Sequence, residues 1–229
     1  MSEERLIGLD LSITSTEVIA MLLDSPSDEG VYREILEANR NRPEVLQLLY
    51  ENPRTPDDVY KDAAELLSLP VVVDRKVTPI EEEEPHEEVR MQKAEKILHK
   101  VQHLSIGEKI QLALKGGKEL RSVLIRDPNK EVVMKVLENP KLTEGEVEMI
   151  AKNPSVPEDA LRYIAKKRDW VRRYPIIVSL VNNPKTPPGV AMPFISHLRF
   201  QDLVILEKNK NVTDAVRNAA KRYVRMRKK

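Results

Sequence analysis

The sequence predicts an all-α fold: a right-handed superhelix of short helix pairs, or α-solenoid, with a small N-terminal helical unit. The composition is the first reason, since glycine is scarce at 7 of 229 residues and proline is frequent at 16, a balance typical of short helices joined by proline-containing turns. The second reason is that apolar residues recur at helical spacing along most of the chain. The third is a recurring junction, Asn-Pro followed by a second proline three residues later, which separates these apolar runs.

This junction occurs at residues 153–157 and again at residues 183–187. Asparagine suits a left-handed helix C-cap, and the proline that follows it cannot continue a helix. Ser155 or Thr186 can then cap the next helix, whose first position suits the second proline. Each junction therefore predicts the end of one helix, a short turn and the start of another helix.

Residues 1–72 are predicted to form a small acidic helical unit. Residues 14–17 offer a capping box ahead of an apolar helical face, and a copy of the junction occupies residues 52–56. The next segment, residues 73–88, contains two prolines and four consecutive glutamates. Because like charges repel and proline interrupts helices, this segment predicts an extended acidic linker.

Residues 89–229 are predicted to form a helical-repeat solenoid with a basic C-terminal end. Residues 131–140 align without a gap on residues 44–53, and residues 175–184 share their apolar pattern. A degenerate copy ends at Asn209. Each copy is followed by a second short helix, and helices of this length are not stable alone, so stacking of neighbouring repeats must stabilise them.

The net charge of +1 conceals an uneven distribution. Residues 1–90 carry 22 acidic and 9 basic side chains, whereas residues 91–229 carry 15 acidic and 29 basic side chains. Such asymmetry predicts either an acidic partner for the second half or attraction between the two halves.

Several classes of protein are excluded by what the sequence lacks. Cysteine is absent, which rules out disulfides, cysteine-ligated zinc and iron–sulfur clusters. No basic stretch followed by an apolar run is present near the N-terminus, so no signal peptide is predicted. No apolar run approaches the length of a membrane span. These observations predict a cytoplasmic protein without a cofactor.

Residues 153–190 carry a specific pattern of residue types at defined spacings. These residues are Asn153, Pro154, Pro157, Leu161, Ala165, Asp169, Trp170 and Arg172 or Arg173. This segment resembles the leucine-rich repeat variant family, whose repeats read Asn-Pro-x-Thr-Pro, a leucine-bearing helix, Asp-Trp-x-Val-Arg and an apolar helix. The resemblance covers residues 120–220 well and residues 39–67 weakly. It implies an all-helical solenoid of alternating α- and 3₁₀-type helices, similar in shape to HEAT and armadillo arrays, and no common catalytic activity. The best-known member holds a cysteine-ligated iron–sulfur cluster, which this chain cannot bind, and Pro175 and Pro193 depart from the repeat pattern.

Few residues suggest chemistry. His99 and His103 lie four residues apart, which places both rings on one helical face, but no HExxH sequence surrounds them and solvated histidines are favoured over a metal site. The Lys-Gly-Gly-Lys sequence at residues 115–118 lacks the spacing of a phosphate-binding loop and favours a turn between helices. No nucleophile motif accompanies any of the four histidines, so no catalytic or metal-binding residue is predicted.

A first candidate binding segment spans residues 166–173. It places five basic residues around Asp169 and the single tryptophan, Trp170: Lys166, Lys167, Arg168, Arg172 and Arg173. Because some helical-repeat DNA glycosylases use a carboxylate and an aromatic side chain in a basic groove, a base-excision enzyme is one interpretation. The favoured interpretation is that Trp170 belongs to the core and Asp169 caps a helix.

The C-terminal helix gives the second candidate binding surface. Its predicted buried face comprises Val212, Ala215, Val216, Ala219, Ala220, Tyr223 and Val224. Its other side carries a basic stripe, and residues 217–229 hold seven basic residues and no acidic one. Such a stripe attracts phosphate backbones, anionic lipid or an acidic protein surface, while a solvated terminal repeat is the simpler alternative. The residues of the stripe are Arg217, Lys221, Arg222, Arg225 and Lys228.

The predicted function is that of a non-enzymatic helical-repeat scaffold or adapter that binds a protein partner. Solenoids present extended surfaces suited to this use, and no catalytic constellation competes with it. The alternative is a nucleic-acid-binding module that uses the two basic surfaces for backbone contacts. No small-molecule substrate is indicated, and the sequence leaves the oligomeric state open.

Overall fold

The computed structural model describes residues 10–72, 75 and 87–228 of the chain. These residues form fifteen α-helices and no strand, which confirms the all-α class. None of the described helices is long and apolar enough to cross a membrane. The helices belong to two compact units, residues 1–141 (unit 1) and residues 142–229 (unit 2).

Unit 1 contains eight of the described helices, which pack around buried leucine, isoleucine and tyrosine side chains. The most extensive packing in this unit is between the third and fourth helices and between the sixth and eighth helices. Tyr32 is fully buried, and its hydroxyl donates to the Leu23 carbonyl over 3.0 Å. Burial raises the pKa of Tyr32 to about 12, so it donates this bond throughout the neutral range. The helices are α1 Thr16–Asp24, α2 Gly30–Ala38, α3 Pro43–Glu51, α4 Asp57–Leu67, α5 Glu87–Gln102, α6 Ile106–Lys115, α7 Lys118–Leu124 and α8 Lys130–Glu138.

The predicted boundary between residues 72 and 89 lies inside unit 1, where α1 packs against α6. The Thr14 hydroxyl donates to Oε1 of Gln111 over 2.7 Å, and the Ser15 hydroxyl donates to Oε1 of Glu108 over 2.6 Å. Apart from Arg75 and the first turn of α5, the predicted linker at residues 73–88 lies outside the described residues. The independence of residues 1–72 and 89–229 thus stays a prediction.

The Glu108 side chain forms hydrogen bonds at the N-termini of both α1 and α6. It completes a capping box of α6 with Ser105. The capping box predicted at residues 14–17 is absent, because Ser15 occupies the N-cap of α1 without a capping bond and donates to Glu108 instead. The hydrogen bond from the Ser15 hydroxyl, which has the largest effect, and the hydrogen bonds from Ser105 lower the pKa of Glu108 below its ordinary value.

Unit 2 contains seven described helices, and the apolar faces of the last four form one cluster from Ile177 to Val224. Leu180, Leu203 and Leu206 are fully buried. The most extensive helix–helix packing is between the last two described helices. The helices are α9 Glu144–Lys152, α10 Glu158–Lys166, α11 Arg168–Val171, α12 Tyr174–Asn182, α13 Pro188–Ile195, α14 Phe200–Lys208 and α15 Asp214–Arg227.

Every Asn-Pro junction lies between two helices, as predicted, but the predicted left-handed conformation is wrong. Asn153 has φ −75° and ψ 118°, and Asn183 has φ −75° and ψ 125°, both extended. A following proline disfavours the helical region for the residue before it. Each asparagine instead closes a turn with its side chain, since Oδ1 accepts from the amide two residues later over 2.9 Å in both cases.

The second proline and the predicted capping residues also differ from the prediction. Pro157 and Pro187 occupy the N-cap, so the helices begin one residue later than expected. Neither Ser155 nor Thr186 caps a helix: Thr186 is buried, and its hydroxyl has no hydrogen-bond partner within the described part of the chain. Thr55, in the equivalent position of the junction at residues 52–56, is buried and unpartnered in the same way.

The alternation of α- and 3₁₀-type helices implied by the family resemblance is not observed, since every described helix is an α-helix. An i,i+3 bond does open α10 and α13, from the Ala160 amide to the Pro157 carbonyl over 3.1 Å and from the Val190 amide to the Pro187 carbonyl over 2.8 Å. Pro175 lies in the first turn of α12, where no amide is needed. Pro193 lies inside α13, which ends at Ile195, two residues later.

Candidate partner-binding surfaces of unit 2

The aromatic part of the segment 166–173 is half-buried. Trp170, in α11, packs at a tilt against Tyr163 with 6.0 Å between ring centroids, and the Lys167 ammonium lies 4.9 Å from the Tyr163 ring centroid. The prediction that Trp170 is a core residue is therefore wrong, because Trp170 is only half-buried and α11 contains no fully buried residue. The N-cap of α11 is Lys167, so Asp169 does not cap it.

Two of the five basic residues in this segment are neutralised by carboxylates. Arg172 pairs with Asp169 at 3.5 Å, and Arg173 pairs with Glu144 at 2.7 Å. Asp169 is 90% exposed, so it does not sit in the enclosed, basic site that a base-excision enzyme needs. Lys166, Lys167 and Arg168 are exposed and have no ion pair within the described residues.

The predicted buried face of α15 is correct in all but two positions. Val212, Val216, Ala219, Ala220 and Val224 are buried. Tyr223 is half-buried and packs against the same cluster, whereas Ala215 is exposed. The helical periodicity of this segment thus identified the face that packs on the rest of unit 2.

The basic stripe divides into residues with internal partners and residues without them. Arg217 pairs with Asp214, and Arg222 lies 5.9 Å from the Tyr223 ring centroid. Lys221, Arg225 and Lys228 are exposed without an ion pair among the described residues. Lys208 and Lys210 share an open hollow of about 550 Å³ with Arg217 and Glu207, so one carboxylate accompanies these cations. No hydrogen bond or ion pair within the described residues connects this stripe to residues 166–173.

Arg227 has a structural role that the sequence did not indicate. Its guanidinium donates to the carbonyl oxygens of Leu198 and Ser196, each over 2.6 Å. These carbonyls follow α13, where helical partners are lacking. Arg227 therefore fastens the end of α13 to α15 and is not part of a free basic surface.

A groove of about 530 Å³ lies along α9, α12 and α14, and no sequence motif predicted it. Its apolar part includes Val178 and Ile205, and Ile205 is 63% exposed. Because α14 buries Leu203 and Leu206, Ile205 lies on the opposite side of the helix. The one available signal was the run of four apolar residues at 203–206, which a single buried helical face cannot accommodate. The lining residues are Glu148, Lys152, Tyr174, Pro175, Val178, Ser179, Asn182, Asn183, Arg199, Gln201, Asp202 and Ile205.

Tyr174 organises one wall of this groove. Its hydroxyl donates to Oδ2 of Asp202 and accepts from the Arg199 amide over 2.8 Å. The Arg199 guanidinium carbon lies 4.5 Å from the Tyr174 ring centroid. Burial, and then the bond to Asp202, raises the pKa of the Tyr174 hydroxyl, so it remains a neutral donor at physiological pH.

The histidine pair and the Lys-Gly-Gly-Lys sequence gain no chemical role from their surroundings. The rings of His99 and His103 lie 5.4 Å apart at their centroids, but no cluster of three or more potential metal ligands occurs in the described residues. Residues 115–118 form the predicted turn, between α6 and α7. The amides of Gly116 and Gly117 donate to the carbonyls of Leu112 and Ser25, so neither is free to bind a phosphate.

Comparison with protein-family models, with curated proteins and with solved structures found no match for this chain.

Proposed function

We propose that the protein is a non-enzymatic, cytoplasmic helical-repeat adapter that binds a segment of a protein partner in the groove along α9, α12 and α14. We further propose that its repeats stack as a right-handed solenoid similar to the leucine-rich repeat variant and HEAT arrays. The recurrent Asn-Pro junctions and the short, one-sided apolar helices support this arrangement.

The observation that carries the proposal is the combination of Ile205 and the polar side chains around it. An isoleucine with 63% of its surface exposed gains free energy when a partner removes it from water. Lys152, Gln201 and Arg199 line the same groove and can fix the orientation of a bound backbone or side chain. An apolar contact surrounded by polar groups is the usual arrangement at a protein–protein interface.

The test is selection of binding peptides from a random phage-displayed library on the full-length protein. Enriched peptides are expected to bind in solution and to lose at least tenfold in affinity on Ile205→Asp. Met226→Asp is the matched control, because Met226 in α15 is also 63% exposed, and it is expected to leave binding within twofold. Failure to enrich any sequence, or equal binding to the Ile205→Asp protein, would contradict the proposal.

A second candidate function, nucleic-acid binding, is favoured by one observation: the exposed cations Lys221, Arg225 and Lys228 lack carboxylate partners among the described residues. Unpaired cations along one helix face can neutralise phosphates and release counterions. Titration of the full chain with mixed DNA and RNA at rising salt tests it. A steep fall of log affinity with log salt, lost in the triple variant Lys221→Glu, Arg225→Glu, Lys228→Glu, would support this function, and no binding at low salt would exclude it.

A further inference from the structure

We infer that the groove recognises an acidic side chain, aspartate or glutamate, placed next to an apolar residue in the partner segment, and that Arg199 is its principal anchor. This inference rests on the proposed function, since it specifies the chemistry of the segment that the same groove binds. Three features of the groove carry it.

The first feature is the rigid support beneath Arg199. Two hydrogen bonds hold the Tyr174 hydroxyl, one donated to Asp202 and one accepted from the Arg199 backbone amide. The bond from the backbone amide fixes the start of α14, because Arg199 is its N-cap residue. Tyr174 thus holds both the backbone and the side chain of Arg199.

The second feature is the stacked guanidinium. Arg199 lies over the face of Tyr174 at 4.5 Å, and a guanidinium stacked in this way keeps the N–H donors at its edge free. Arg199 is exposed and forms no ion pair within the described residues. A planar guanidinium that is held in place and has free N–H groups can donate two parallel hydrogen bonds to the two oxygens of a carboxylate.

The third feature is the balance of charge in and around the groove. Lys152 and Arg199 are cations without an ion pair in the described region, while Asp202 already accepts from Tyr174. The lining of the groove is therefore balanced, because Glu148 and Asp202 carry one negative charge each against these two cations. Unit 2 as a whole carries 18 basic and 9 acidic side chains. This excess of positive charge attracts an acidic segment over a distance, and the stacked, unpaired Arg199 guanidinium then provides the contact with its carboxylate.

The experiment uses the full chain and mixtures of amidated nonapeptides with leucine fixed at the centre. In each set, one other position in turn holds aspartate, asparagine or lysine, and the remaining positions are randomised. Affinity is measured by competition against a fluorescein-labelled member of the best set. The best aspartate mixture is expected to bind at least tenfold more tightly than its asparagine counterpart, and the lysine mixture more weakly than both.

Arg199→Gln is expected to reduce this preference for aspartate to less than twofold, and Arg199→Lys to retain part of it. Arg225→Gln is the matched control, since it removes one exposed arginine from α15, and it is expected to keep the full preference. Unfolding of each variant, followed by Trp170 fluorescence, verifies that unit 2 remains intact.

Each other result has a definite consequence. Equal binding of aspartate and asparagine mixtures, or an unchanged preference in Arg199→Gln, overturns the inference and leaves the proposed function standing. Loss of the preference in Arg225→Gln assigns acid recognition to α15 and also overturns it. Absence of binding by every mixture at millimolar concentration overturns the inference and the proposed function together.

Discussion

The two units use their cationic side chains differently. In unit 1 most of the described ion pairs join residues that are distant in sequence: Arg33 of α2 pairs with Asp62 of α4, and Lys115 of α6 pairs with Glu34 of α2. In unit 2 most described pairs are local, three or four residues apart in sequence, such as Arg162 with Glu158. The lesson is that charges contribute to the internal packing of unit 1, whereas unit 2 keeps most of its cations available to a partner.

The largest expected effect comes from breaking the least exposed ion pair of unit 1. Lys109 and Asp127 lie 3.0 Å apart, with side chains 14% and 5% exposed. Asp127→Ala leaves the Lys109 charge without a partner in a largely desolvated site and is expected to lower the free energy of unfolding by about 3 kcal/mol. Urea unfolding followed by far-UV circular dichroism measures this loss.

The double variant Lys109→Met, Asp127→Ala is the control for that prediction. Removing both charges is expected to cost less than the sum of the two single changes, because the pair acts as a unit. Additive losses, or a cost of Asp127→Ala below about 0.5 kcal/mol as for ordinary surface substitutions, would remove the distinction between the units.

The next effect tests a side-chain bridge between helices of unit 2, the counterpart of the bridge that Asn139 forms to the Ala113 carbonyl in unit 1. Nδ2 of Asn183 donates to the carbonyls of Ala151 and Asn153, over 2.7 and 3.0 Å, at the end of α9. Asn183→Ala leaves those carbonyls unpaired inside the unit and is expected to cost about 2 kcal/mol. Unfolding followed by the fluorescence of Trp170, the single tryptophan of the chain, reports on unit 2 specifically.

Asn153→Ala is the matched control. Asn153 closes the same turn onto the Ser155 amide, but its Nδ2 has no partner among the described residues. This substitution is therefore expected to cost less than about 1 kcal/mol, the value of one ordinary hydrogen bond. Equal losses at the two positions would show that the bridge from Asn183 to α9 contributes nothing.

A smaller effect, of opposite sign, is expected equally in both units. Thr55 and Thr186 bury hydroxyls that have no partner in the described structure, and the equivalent position of the junction at residues 153–157 holds the buried Val156. Thr55→Val in unit 1 and Thr186→Val in unit 2 are each expected to raise the free energy of unfolding by about 1 kcal/mol. A loss of stability at either position would mean that the hydroxyl is satisfied after all.

The smallest effect is expected for the exposed pairs of unit 2. Arg172 and Asp169 are 78% and 90% exposed, so Arg172→Gln is expected to change the free energy of unfolding by less than about 0.5 kcal/mol. Thermal unfolding at low and high salt gives the measurement. A larger, salt-sensitive loss would indicate that surface charges stabilise unit 2 as they do unit 1.

The sequence predicted the helix boundaries better than the details of the junctions. Proline and asparagine act locally, so the end of each helix at Asn153 and Asn183 could be predicted. The conformation of those asparagines was wrong because the steric effect of the following proline outweighs the preference for a left-handed cap. The bridge from Asn183 to α9 was not predictable, because its acceptors lie about 30 residues earlier in the sequence.

The candidate site shows the same limit. The exposed cations Lys221 and Arg225 could be predicted from the periodicity of α15, which repeats every few residues. The groove could not, because it depends on three helices that are distant in sequence. Arg199 gives no signal of its own, and its orientation is determined by Tyr174, which lies on another helix.

Methyl NMR of the full chain, labelled at isoleucine and methionine and titrated with the tightest-binding aspartate peptide, tests most directly whether the groove of unit 2 is the binding surface. Ile205 in the groove and Met226 on α15 are equally exposed at 63%, so their methyl groups are matched reporters. The Ile205 methyl signal is expected to shift in a saturable way while the Met226 signal stays in place. A shift of Met226 without a shift of Ile205 would contradict the groove and assign binding to the basic stripe.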